Sequence, residues 1–80
     1  MTEQLYVIRR ESAEPSDPGD VYVTGPEFGS PMETGIYSST RRVADASLYT
    51  AEEARYLAAR KWRSRKPRVV PEQDAEDLVR

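Results

Sequence analysis

The sequence predicts an α+β fold in two layers, a small antiparallel sheet of two to four strands with one main helix packed on one face. Three observations carry this. Residues 5–8 (Leu-Tyr-Val-Ile) and 21–24 (Val-Tyr-Val-Thr) are β-branched and aromatic runs on either side of a polar stretch bearing Pro15, Pro18 and Gly19. A single capped amphipathic segment begins at Ala51. With 80 residues in all, the chain has material for one small core.

The first run is a strand that Arg9 and Arg10 carry into solvent, and the second is its antiparallel return, stopped by Gly25 and Pro26. Residues 11–20 read as a long mobile loop. From Glu27 to Thr34 turn formers dominate, with Phe28 and Met32 as the large apolar groups able to anchor the segment. Residues 35–38 are a candidate third strand, residues 43–46 a short helical turn, and Leu48 with Tyr49 a brief edge strand.

Thr50 and Glu53 have the spacing of a capping box, which sets the helix start at Ala51. Ala54, Leu57, Ala58 and Trp62 recur as one apolar stripe, and Pro67 forces Lys66 out of helical geometry, so the helix is expected to run over residues 51–65. The domain is then residues 1–66. Residues 67–80 form either a solvated tail or a short acidic helix, since Pro71, early acids and a final Arg suit helix capping. One helix covers one side of a sheet. Either the Leu5/Val7 or the Tyr6/Ile8 set would then face outward and offer a self-association surface, so a monomer or a weak homodimer is expected.

The net charge of −2 conceals a segregation: residues 1–50 carry −4, residues 51–70 carry +5 and residues 71–80 carry −3. A general nucleic-acid binder is basic throughout its domain, so tight binding to free nucleic acid is not expected. The sequence holds no Cys and no His, which removes thiol chemistry, imidazole bases and the usual zinc ligands. Ser38, Ser39 and Thr40 have no activating histidine, and Gly19, Gly25, Gly29 and Gly35 form no phosphate-cradling motif. The expectation is a protein that is not an enzyme and needs no cofactor or metal. Absence of Cys, of a secretory leader and of a membrane-length apolar run points to the cytoplasm.

Two groups of residues are candidates for partner binding. The outward helix stripe of Tyr56, Arg60 and Arg63, supported by Lys66 and Arg68, combines aromatic and guanidinium groups as interface hot spots do. The alternative is acidic: Glu11, Glu14, Asp17 and Asp20 recur at intervals of three and could imitate a phosphate backbone. Trp62, inside the basic cluster, falls on the apolar side of the helix and is assigned to the core ahead of a base-stacking role.

Tyr6-Val7-Ile8-Arg9, then Val21-Tyr22-Val23-Thr24, then the run from Ala44 through Leu48-Tyr49-Thr50-Ala51-Glu52-Glu53-Ala54, resembles the layout of small phage and prophage proteins. Within that group, a compact, charge-segregated domain looks like an anti-CRISPR protein directed at a type I Cascade complex. The resemblance implies a host-cytoplasmic inhibitor that occupies the surface a bacterial ribonucleoprotein would offer to target DNA, and it assigns no functional residue. Two other classes remain open: a small nucleic-acid-binding regulator using the basic helix end, and a structural or assembly protein of the virion using the uncovered sheet face.

Overall fold

The computed structural model describes residues 4–26 and 34–78. It is an α+β fold. Among these residues four strands, β1 (Tyr6–Glu11), β2 (Asp20–Thr24), β3 (Ser38–Thr40) and β4 (Arg68–Pro71), form one antiparallel sheet in the order β3-β2-β1-β4, and a single α-helix, α1 (Ala51–Arg60), packs across it. Phe28 and Met32, the expected anchors of the connection after β2, lie outside the described residues.

The central strands owe their place to side-chain alternation. Ile8 of β1 and Val23 of β2 face α1 and form the core with Tyr49, Ala54 and Leu57, all buried, while Tyr6, Tyr37, Tyr56, Trp62 and Val69 pack around it. Thr50 caps the helix as its spacing requires: its hydroxyl accepts the Glu53 N–H at 3.2 Å, and the Glu53 carboxylate accepts the Thr50 N–H at 3.0 Å. Gly25, just after β2, has φ 118°, and a Cβ there would stand 3.0 Å from the Ile36 carbonyl oxygen. Only glycine suits both conditions.

Four expectations are corrected. The helix ends at Arg60, not near residue 65, because Trp62 takes a left-handed backbone conformation (φ 56°) and Lys66 another (φ 50°) around a 3-10 turn at Arg63–Arg65. These two bends turn the chain back along β1. Residues after Pro67 therefore do not begin a tail outside a 1–66 domain: Val69 and Val70 pair with Ile8 and Val7 as part of strand β4, and the acidic stretch that follows makes a 3-10 turn at Glu72–Asp74, not an α-helix. The third strand begins at Ser38, since Tyr37 is drawn edge-on to Trp62 with ring centroids 5.2 Å apart. Leu48 and Tyr49 make no strand; Tyr49 contributes an isolated bridge to Tyr6.

The sheet has no bare face at its centre. Val7 and Tyr22, on the side away from α1, are as fully buried as the helix-facing core. Residues 72–78 cross that side as a strap. The Glu72 N–H donates to the Leu5 carbonyl, the Asp77 carboxylate accepts the Val43 N–H, and the Leu78 N–H donates to the Arg41 carbonyl. The strap thus runs from the β1 start to the residue after β3, and the expected outward-facing Leu5/Val7 set is covered at Val7.

A cationic and aromatic candidate interaction surface

Helix α1 ends in a basic turn, a placement its dipole favours. Tyr56 and Arg60 are one turn apart on it, and the Arg60 guanidinium carbon stands 4.4 Å from the Tyr56 ring centre, a cation–π contact that holds an exposed arginine on a half-buried aromatic. Lys61, the residue after the helix, lays its ammonium 5.1 Å from the Tyr37 ring centre. Tyr56, Leu57, Arg60 and Lys61 line a shallow cleft of 160 Å³. Arg63 is exposed on the 3-10 turn beyond the left-handed Trp62, so it does not continue the Tyr56/Arg60 stripe as an unbroken helix would have placed it. It lies in the same basic stretch through the bend.

The remaining expected contact residues have other occupations. Arg68 and Arg9 both hold the Asp20 carboxylate, Arg9 through its Nε at 2.7 Å. Burial alone would raise the Asp20 pKa, but the hydrogen bond from Arg9, the charges of Arg68 and Arg9 and the hydrogen bond from Arg68 outweigh it and hold the carboxyl below its ordinary range. Lys66 reaches Glu11 at 3.6 Å, both side chains well solvated. Asp17 is bound by Arg41 at 2.6 Å, and Arg41 also donates to the carbonyls of Asp17, Pro18 and Asp20. The two candidate surfaces are therefore partly one: of the four acids, Glu11, Asp17 and Asp20 pair with cations of this chain, and only Glu14 has no ion pair among the described residues. The loop read as mobile is fastened at its far end by Arg41 and across its neck by the Ser12 N–H to the Gly19 carbonyl.

Comparison with protein-family models, with curated proteins and with solved structures returns no match.

Among the described residues, no group of three or more acids forms a cluster fit for a metal ion, and no helix is long and apolar enough to cross a membrane. Trp62 is half-buried against the core, its ring edge-on to Tyr37 and 5.7 Å from the guanidinium carbon of Arg10. Arg10 corrects a further expectation. It is not carried into solvent but is 8 % exposed. Its parity with Ile8 puts it on the face toward α1 and Trp62, a placement legible from strand alternation alone. Lys61 and Tyr37 could have been singled out from sequence only by knowing where the helix ends.

Proposed function

We propose that this chain is a non-enzymatic protein-binding module whose contact surface is the end of α1, with Tyr56 and Arg60 at its centre and Arg63 on the turn that follows. The observation that carries this is the Arg60–Tyr56 stack: an arginine held against an aromatic ring is pre-ordered for binding, and neither Arg60 nor Arg63 has an ion-pair partner among the described residues. The surface fits a protein face rich in carboxylates. Lys66 and Arg68 belong to its rim, their charge partly offset by Glu11 and Asp20.

The resemblance to small phage proteins makes the proposed partner a bacterial immune ribonucleoprotein of the Cascade kind, and the proposed outcome an anti-CRISPR inhibition in the host cytoplasm. The nucleic-acid alternative is less favoured because Trp62 is engaged with Tyr37 and Arg10 and because Arg68 and Lys66 face acids of the same chain. The virion-assembly alternative loses the uncovered sheet face on which it depended, since the strap buries Val7 and Tyr22.

The test is the double variant Arg60→Glu with Arg63→Glu. It should melt as the parent does and lose protection of a phage or plasmid targeted by a type I system. Full protection by the folded variant would remove this surface from consideration, and salt-sensitive, sequence-independent mobility shifts with DNA by the parent would favour the nucleic-acid reading.

A further inference from the structure

The cleft at the end of α1 is lined by one fully buried aliphatic side chain, Leu57, by the half-buried Tyr56 and by two cations, Arg60 and Lys61. No carboxylate lines it, and neither cation has an ion pair among the described residues. Glu53, one turn back from Tyr56 and Leu57, is committed to the Thr50 cap. The two cations rest on separate aromatic rings. Arg60 lies 4.4 Å from the Tyr56 ring centre and Lys61 lies 5.1 Å from that of Tyr37, which is itself set edge-on to Trp62 at 5.2 Å. The Lys61 N–H donates to the Leu57 carbonyl at 2.7 Å, which ties the backbone of the second cation to the aliphatic residue of the cleft.

At 160 Å³ the cleft is too small for a drug-sized ligand, whose pockets run from about 300 Å³ upward, and it matches the roughly 150 Å³ that admits a benzene-sized group. It has room for one apolar side chain. Such a group covers Leu57 and Tyr56, and carboxylates on either side of it meet two cations that are already ordered, so little side-chain freedom is lost on binding. A nucleic-acid strand suits the cleft less, because both tyrosine rings pack on the core and each already carries a cation of this chain where a base would stack. We propose that the cleft takes one aliphatic side chain from an acidic peptide segment of a partner protein, and that the carboxylates flanking that side chain pair with Arg60 and Lys61. This rests on the end of α1 being a protein-binding surface, and it adds Lys61 and an apolar anchor to that surface.

The experiment follows the anisotropy of the fluorescein-labelled peptide Gly-Ser-Glu-Leu-Glu-Ser-Gly as the full chain is added to about 1 mM. A saturable rise is expected. Alanine in place of the peptide's leucine should weaken binding by about tenfold or more, and glutamine in place of both glutamates should do the same. Lys61→Gln should weaken binding of the original peptide by about threefold or more. Arg42→Gln removes an exposed arginine that lines no part of the cleft, and should leave the midpoint unchanged. The peptide series leaves the protein untouched and decides even if Lys61→Gln folds poorly. No saturation, equal binding of the leucine and alanine peptides, an unchanged midpoint in folded Lys61→Gln, or displacement of the peptide by a short oligothymidylate at equal concentration would each overturn the proposal. Protection by Arg60→Glu with Arg63→Glu separates the two levels: if it is lost while the peptide fails to bind, the surface stands and the anchored segment falls, and if it is kept, the surface falls and the anchored segment with it.

Discussion

The Tyr22 hydroxyl donates to the Glu76 carbonyl at 2.6 Å and accepts the Glu76 N–H at 3.1 Å, so one phenol on a central strand satisfies both backbone groups of a residue 54 positions further along. Its ring is fully buried under the strap it holds. Among the bonds that fasten residues 72–78, this pair sits over the middle of the sheet, where water would otherwise reach Val7.

Tyr22→Phe should therefore cost about 1–3 kcal/mol, the scale for removing a hydroxyl and leaving part-buried backbone groups without partners. Urea unfolding would measure it. Amide exchange should accelerate at Leu78 and Val43, whose hydrogen bonds to Arg41 and Asp77 share the strap, while the α1 amides stay protected. An unchanged urea midpoint would show that the strap holds without Tyr22.

Leu57 and Trp62 share one apolar stripe in the sequence but have unequal shares in the core. Leu57 is fully buried, whereas Trp62 sits beyond the helix end and is half-buried. Leu57→Ala should cost about 2–5 kcal/mol, enough to unfold much of a domain with a net stability of about 3–5 kcal/mol. Trp62→Ala should cost less, about 1.5–3 kcal/mol, from partial burial and the contacts with Tyr37 and Arg10. Thermal melts of the two variants side by side would check the order.

The features legible in sequence were those set by neighbours in the chain. The Thr50/Glu53 box and the start of α1 follow from a three-residue spacing, and β1 and β2 follow from local composition and the turn formers between them. What escaped depends on distant partners. Val69 and Val70, lying between two prolines, look like a tail until Ile8 and Val7 are available to pair with them. The basic cluster looks like one surface until Asp20 and Glu11 return to claim Arg68 and Lys66. Arg10 differs in kind: its charge argues for solvent, but strand alternation puts it on the same face as Ile8, and alternation prevails.

Trp62 and Lys66 share nearly the same left-handed φ, 56° and 50°, yet glycine should act oppositely at the two positions. At Lys66 the left-handed conformation costs a non-glycine residue about 1–2 kcal/mol, which glycine relieves, while its freer unfolded chain offsets part of that gain. The Lys66 ion pair is mostly solvated, with side chains 81 % and 45 % exposed, and adds little. Lys66→Gly should stabilise the protein by about 0.5–1 kcal/mol. Trp62→Gly relieves the same conformation but loses the ring, and should destabilise. Equal melting shifts of one sign would contradict this account.

Asp20 gives the fold a dependence on acid. Its carboxyl is held below the ordinary value of 3.8, with burial opposing and Arg9 and Arg68 prevailing, so the folded state binds its proton less readily than the unfolded chain. The stabilisation from this group is then complete above the unfolded value, declines as pH falls through 3.8 toward the lower folded value, and is absent below both. Asp20→Asn keeps a side-chain acceptor but discards the charge. The parent should therefore exceed the variant in urea midpoint at about pH 6, and the difference should shrink below about pH 4 and vanish near about pH 2. Because Arg9 and Arg68 are partly solvated, the effect should also diminish in high salt, unlike the loss from Leu57→Ala. A parent and variant that part company only on acidification would reverse the sign and place the Asp20 carboxyl above its ordinary value.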